Sequence, residues 1–284
     1  MAGMTPWTLR SGVAVITGAA SGIGAALAVA LARRGMRLAL VDLDAAGLDA
    51  TAAKARALGA EASTHVLDVG DAPACAALPA DVIAAHGRAT LLVNNAGVAL
   101  GGLFEQVAAQ DFDWLMNINF GATVRLTRAF LPLLAREPAA QVVNVSSIFG
   151  IIAPPGQTAY AASKFAVRGF SESLRHELAM TGSTVGVTIV HPGGVHTSIA
   201  DNARLARGLD AADVARERAN WRGLLALAPE AAAECMARAI ERRAPRLIVG
   251  NDAKGAALLQ RLFPVNYWKH AARDIARRVK KAGA

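Results

Sequence analysis

The chain has 284 residues, 54% hydrophobic and 18% charged, with a formal net charge of +8 and two cysteines. That length supports one large α/β domain with a sizeable core, and the apolar content excludes disorder as the main state. Cys75 and Cys235 stand at unrelated positions, too few for a disulfide framework or a metal cluster, so a cytoplasmic protein is expected.

The positive charge points first to nucleic acid or an anionic membrane. Its distribution redirects that reading. From Arg261 to Ala284 there are seven basic side chains against one acid, Asp274, whereas the other 260 residues carry 23 basic and 21 acidic groups. The body is close to neutral, so a small-molecule site is expected and nucleic acid is not.

In chain order, β-rich runs alternate with Ala/Leu-rich segments, the pattern of βα units around a parallel sheet. Strands are expected at Val13–Thr17, Arg37–Val41, Ser63–Leu67, Thr90–Val93, Gln141–Val145, Thr184–Val190 and Arg246–Val249. Helices are expected at Gly22–Arg34, Asp44–Leu58, Asp71–His86, Asp111–Arg136 with an internal break, Thr158–Met180 and Pro229–Arg243. Asp44 and Asp71 suit N-caps, and Gly35, Gly59 and Gly87 suit helix ends. The uncharged run Ser11–Ala32 is long enough for a membrane span, but Gly18, Gly22 and Gly24 break it into strand, turn and helix. Together these elements make one doubly wound α/β domain over residues 1–250 with a seven-stranded parallel sheet. Residues 197–228 are too long for an ordinary connection and read as a partly helical flap. Residues 251–284 form a basic helical extension, broken at Pro264. It could rest on an anionic membrane as a peripheral contact, cover a substrate mouth, extend a dimer interface, or simply be solvated.

Chemistry gathers where the strands end. Thr17-Gly18-Ala19-Ala20-Ser21-Gly22-Ile23-Gly24 follows the first strand, with glycines that let a pyrophosphate approach the backbone and a helix start that offers N–H groups. Asp42 ends the second strand, where a carboxylate accepts from a ribose 2′-OH and repels a 2′-phosphate; this favours NAD over NADP. A plainer reading has Asp42 and Asp44 both capping the next helix, and Arg33, Arg34 and Arg37 are the nearby cations that could reverse the preference. Tyr160 and Lys164, four apart on one helical face, can meet at one ligand, and Ser147 lies 13 residues before Tyr160 just past an apolar strand.

In these pieces and their order, with Asp68-Val69, Asn94-Asn95-Ala96-Gly97, Asn119, and Pro192-Gly193 followed by Val195 and Thr197, the chain resembles the short-chain dehydrogenase/reductase family over residues 10–250. The resemblance implies a Rossmann-like fold, a homodimer or homotetramer, and hydride transfer between NAD(P) and a secondary alcohol or ketone. It makes Tyr160 the acid/base, favoured as tyrosinate by Lys164 and by the cationic nicotinamide of the oxidised cofactor, and Lys164 also holds the nicotinamide ribose. Ser147 then bonds the substrate oxygen beside Phe149, and Asn119 anchors a proton-relaying water. Asp68 and Val69 meet adenine; Asn95, Ala96 and Gly97 line the path to the ribose; Val195 and Thr197 meet the carboxamide. A 3-oxoacyl carrier-protein reductase, docking its carrier on Arg125, Arg128 and Arg168, and a non-catalytic dinucleotide-responsive binding protein are the alternatives. Phe149, Ile151, Ile152, Pro154 and Pro155, with Ile199, Leu205 and Trp221, suggest an apolar pocket. His191 and His196 flank the Pro192 turn without the partners a metal needs, and both cysteines read as buried filler.

Overall fold

The computed structural model describes residues 7–199, 201–206 and 225–272. Its first half runs β1 (Val13–Thr17), α1 (Gly22–Ala32), β2 (Arg37–Asp42), α2 (Ala45–Arg56), β3 (Ala62–Val66), α3 (Ala72–His86), β4 (Leu91–Asn94) and β5 (Leu100–Gly101). Then come α4 (Ala109–Met116), a π turn (Asn117–Gly121), α5 (Ala122–Leu134), β6 (Ala140–Val145) and α6 (Thr158–Met180). The last part holds β7 (Val185–Pro192), β8 (Arg204–Leu205), α7 (Pro229–Glu241), β9 (Arg246–Val249) and α8 (Asn251–Leu262).

Seven strands form one sheet in the order β3-β2-β1-β4-β6-β7-β9, with every neighbouring pair parallel. The winding reverses between β1 and β4, which opens a crevice at the strands' carboxyl ends. β1 shows why both faces are covered. Ala14 and Ile16 join an apolar cluster with residues of α1, α2 and α7, while Val13 and Val15 join a second with residues of α3 and α5. Successive strand side chains face opposite ways, so an unbroken apolar strand needs helices on both sides.

The local signals act as read. The Asp44 and Asp71 carboxylates accept from the Gly47 and Ala74 amides at 3.1 and 3.2 Å, capping α2 and α3. Gly35, Gly59 and Gly87 take the left-handed conformation after their helices, with φ of 78°, 83° and 75°.

Four features differ from expectation or add to it. The break inside the fourth helix is a π turn, which widens the helix by one residue and turns Asn119 into the protein, where it is 1% exposed. β5 and β8 pair in a separate two-stranded ribbon; two-residue strands are too short for alternation to reveal. Cys75 is buried as expected but Cys235 is exposed, because α7 turns Ala232, Ala233, Met236, Ala237 and Ile240 inward and leaves Cys235 outside. The extension is helical from Asn251 to Leu262, and residues 267–272 are helical again after Pro264. Trp221, most of the expected flap, and tail residues 273–284 lie outside the described residues. Among the described residues no helix is long and apolar enough to cross a membrane.

Candidate active site

The crevice begins at the glycine turn between β1 and α1. Gly18 and Gly22 have φ of +67° and +54°, and a Cβ on Gly24 would lie 2.0 Å from the Gly18 carbonyl oxygen, so helix and turn approach as only glycine allows. Asn95 and Thr17 lock the turn. The Asn95 side-chain amide donates to the Thr17 and Gly18 carbonyls at 2.9 and 3.2 Å, and the Thr17 hydroxyl accepts from the Asn95 and Ala96 amides, both at 3.0 Å. Asn95 thus braces the turn from the side facing Ala96 and Gly97. Ser21 is the N-cap of α1 but its side chain makes no capping bond, and the first turn of α1 carries no acid. The α1 N-terminus therefore offers amide groups to an anion. Thr197 packs its methyl against this turn; a Cβ on Gly22 would lie 2.9 Å from Thr197 Cγ2.

Asp42 reaches back to the same loop. Its Oδ2 accepts from the Ala20 amide at 3.0 Å and its Oδ1 from the Asp44 amide at 3.2 Å, so Asp42 ties β2 to the glycine turn while Asp44 alone caps α2. Of the three cations near β2, Arg34 pairs with Glu234 and Glu241 and Arg37 donates to the His86 carbonyl, while Arg33 is exposed. Asp68 is exposed, with Oδ1 accepting from the Gly70 amide at 2.7 Å. Beside it the Val69 carbonyl accepts from Arg125, which also grips Asn117. Arg125 is therefore bound inward and is not a solvated docking group; Arg168 likewise pairs with Glu172, while Arg128 is exposed.

Next to this loop stands a polar cluster. Ser147 neighbours the Tyr160 phenol and acts to lower its pKa, and the Ser147 hydroxyl accepts from the Phe149 amide at 3.1 Å. The Phe149 ring meets Tyr160 edge-on, centroids 6.0 Å apart at 87°. One turn along α6, Lys164 is 3% exposed; its Nζ donates to the Val145 carbonyl at 3.1 Å and lies 5.6 Å from the Tyr160 ring centroid. A Cβ on Gly97 would come within 3.5 Å of Lys164 Nζ and 3.2 Å of Asn119 Oδ1, so the missing side chain keeps a cradle open above the ammonium. Burial dominates both titrating groups. It pushes the Tyr160 phenol up to about 12, against the lowering effect of Ser147, and pushes the Lys164 ammonium down to about 8.

Asn119 is tied to the loop after β4: Oδ1 accepts from the Val98 amide at 2.8 Å, and Nδ2 donates to the Val98 carbonyl at 3.0 Å and the Ser163 hydroxyl at 3.2 Å. With its side chain so committed, a relayed water would have to use a main-chain group. Asn94 faces the interior, donating to Thr127 and Asn144. Beyond β7, Pro192 is buried and the Gly193 amide donates to the Val249 carbonyl at 2.9 Å. Val195 bridges to Leu227.

The family model for short chain dehydrogenases matches residues 12–208. The chain belongs to the short-chain dehydrogenase/reductase family. It is an NAD(P)-dependent oxidoreductase. It is 40% identical over 265 residues to the oxidoreductase SadH of Mycobacterium tuberculosis, covering 93% of this chain and 95% of that protein. A short-chain dehydrogenase/reductase from Burkholderia phymatum, solved in complex with NAD, superposes with a TM-score of 0.83 at 32% identity, covering 90% of this chain and 94% of that one. A metagenomic short-chain oxidoreductase solved in complex with NADP gives 0.68 at 31% identity, covering 85% and 98%.

Three contacts of this short-chain dehydrogenase/reductase escape sequence reading. His191 is fully buried, and its Nδ1 lies 2.9 Å from the Ser147 carbonyl. A carbonyl only accepts, so Nδ1 carries the proton and the bare Nε2 has no partner among the described residues; burial pushes this imidazole down to about 4. Asp252 Oδ2 accepts from the Gly194 amide at 2.8 Å. The Tyr267 hydroxyl accepts from the Ala153 amide at 2.9 Å. The first was weighed only as a metal ligand, and among the described residues no group of three or more His, Cys, Asp or Glu could hold a metal. The other two arise where the tail folds back across the sheet, which no local pattern announces. Ile151 and Ile152 are correspondingly packed against α8, 2% and 8% exposed, and not lining an open pocket.

Proposed function

We propose that the chain interconverts secondary alcohols and ketones with NAD(H) as the preferred nicotinamide cofactor, Tyr160 serving as acid/base. The observation that carries the reading is the meeting of Ser147, Phe149 and the Tyr160 phenol at the carboxyl edge of the sheet, the Phe149 ring edge-on to Tyr160 and the Lys164 ammonium buried one helical turn away. The residues fit the cofactor: an uncapped helix start behind Gly18, Ser21, Gly22, Ile23 and Gly24, a carboxylate at Asp42, and the open cradle over Gly97. Asp68 and Val69 would hold the adenine, Tyr160 and Lys164 the nicotinamide ribose, and Pro192, Gly193, Val195 and Thr197 the carboxamide. When bound, the nicotinamide accepts or supplies the hydride.

The chain's own residues handle the proton and the oxygen. Tyr160 gives its phenolic proton to the carbonyl oxygen in reduction and takes it back in oxidation. Ser147 donates to the same oxygen and stabilises its developing charge. Lys164, held by Val145, supplies a fixed positive charge near the phenol. Asn119 positions Val98 and Gly97 over that charge. Phe149, against Tyr160, supplies the apolar flank.

Screening secondary alcohols and ketones with both cofactors, by absorbance of the reduced nicotinamide, tests the reaction. Asp42→Asn tests the cofactor reading, because the amide still accepts from Ala20 but carries no charge. The ratio of kcat/KM for NADH over NADPH is expected to fall about 10- to 100-fold in this variant, the scale of a charged hydrogen bond; an unchanged ratio contradicts the role given to Asp42.

For the extension we infer contact with an anionic bilayer. Leu258, Leu262, Phe263 and Val265 are exposed at 58%, 63%, 43% and 85%. Lys254, Arg261 and Lys269 surround them, also exposed. Apolar groups among cations match the boundary of an acidic membrane.

A further inference from the structure

The tail is wired to both flanks of the site. At the start of α8, Asp252 holds the Gly194 amide at 2.8 Å; a Cβ on Gly193 would fall 2.2 Å from Asp252 Oδ2, so the carboxylate sits directly against the Pro192-Gly193-Gly194 turn. Just past α8, the Tyr267 hydroxyl holds the Ala153 amide at 2.9 Å. Between these anchors, Ala253, Ala256 and Ala257 pack on Ile148, Ile151 and Ile152. One short element thus grips the turn on the cofactor side and the segment on the substrate side.

That second segment joins Ser147 to Thr158, where α6 begins, and Tyr160 follows two residues later. Its far end is pinned too: the Gly156 carbonyl accepts from the Gly102 amide at 3.1 Å, next to the β5–β8 ribbon. Ala153 itself is exposed. At the middle of the segment its amide is held by the Tyr267 phenol. Freed there, the segment can shift between its two fixed ends and carry Phe149 off the Tyr160 ring.

Building on the alcohol/ketone reading, we propose that Tyr267 is a positioning residue that sets substrate specificity: its hydroxyl fixes the segment between Ser147 and Thr158 at Ala153, and so holds Phe149, against which the substrate's apolar group lies, in place. The phenol touches neither cofactor nor reacting atoms. Its effect falls on how tightly long substrates are held, and the proton transfer at Tyr160 is untouched.

Tyr267→Phe keeps the ring and removes only the acceptor. Hydrogen–deuterium exchange of the 148–157 segment, measured on the full chain with NADH bound, reads the brace without reference to turnover. The Ala153 amide is expected to exchange about five-fold faster, the factor for one neutral hydrogen bond, with the rest of the sheet unchanged. In parallel, reduction of methyl ketones from butanone to decanone is expected to show KM for the long members rising by about the same factor, with kcat and the NADH Kd unchanged. Tyr267→Leu, which also removes the ring, should enlarge both effects. Unchanged exchange in 148–157 overturns the proposal, as does a joint fall in kcat and NADH affinity that marks general damage. Were the wild-type chain to reduce none of these ketones, the reaction reading would fail, and the exchange experiment would still decide the brace.

Discussion

At Lys164 a charge is kept where burial opposes it. An ammonium 3% exposed with one carbonyl partner is pushed down to about 8 from 10.5, which corresponds to roughly 3 kcal/mol at neutral pH. Between pH 8 and 10.5 the unfolded chain still binds this proton and the folded chain has lost it, so the penalty is present below 8 and is relieved as pH rises through that window. Lys164→Met should therefore lose turnover while gaining stability at pH 7, and the gain should shrink towards pH 10; denaturant unfolding of both proteins at the two pH values checks it. A variant less stable than wild type at pH 7 would contradict the burial argument. Such a gain is expected where function holds a group that folding alone would discard. Tyr160 shows the same tension from the other side, its phenol raised to about 12 by burial. In the proposed mechanism this burial favours the protonated phenol, the form that donates in reduction.

At the scale of elements, three strands each deliver one polar side chain to the carboxyl edge: Asp42 from β2, Asn95 after β4 and Ser147 after β6. Gly24 is the position on which the first of these junctions depends. Gly24→Ala would place a Cβ 2.0 Å from the Gly18 carbonyl, a backbone atom that cannot swing away. It is expected to lower stability by about 1–3 kcal/mol and to abolish NADH binding, measured by thermal unfolding and nicotinamide fluorescence; binding retained at wild-type strength would refute this account of the turn. The elements that sequence revealed are those with local causes. β1 and β9 are uninterrupted or β-branched runs, Asp44 and Asp71 announce helix starts, and Gly87 announces an end. What sequence hid has non-local causes. Gly194 and Asp252 are 58 residues apart and Ala153 and Tyr267 are 114 apart, so nothing near either residue signals its partner. Tyr160, Lys164 and Ser147 were legible because two share a helix face and the third sits just past an apolar strand. The commitments of the Asn95 and Asn119 amides were not, since each is set by a neighbouring loop.

For the whole molecule, the net charge of +8 resolves into a near-neutral catalytic body and a basic extension whose inner side braces the site and whose outer side is exposed. Vesicles of phosphatidylglycerol should sediment with the protein at low salt and release it as salt rises, while phosphatidylcholine vesicles should not; equal binding to both, or none, would contradict the bilayer reading. Removing residues from Val265 onward should weaken vesicle binding, since Val265, Lys269 and the basic tail go while Leu258, Leu262 and Phe263 stay, and, by removing Tyr267, should loosen the 148–157 segment as well. The central claim remains the proton at Tyr160, and Tyr160→Phe tests it most directly. With a ketone that the wild-type chain reduces, the variant is expected to bind NADH with unchanged Kd and to lose about 10²- to 10⁴-fold in kcat. Turnover near the wild-type rate would contradict the mechanism outright.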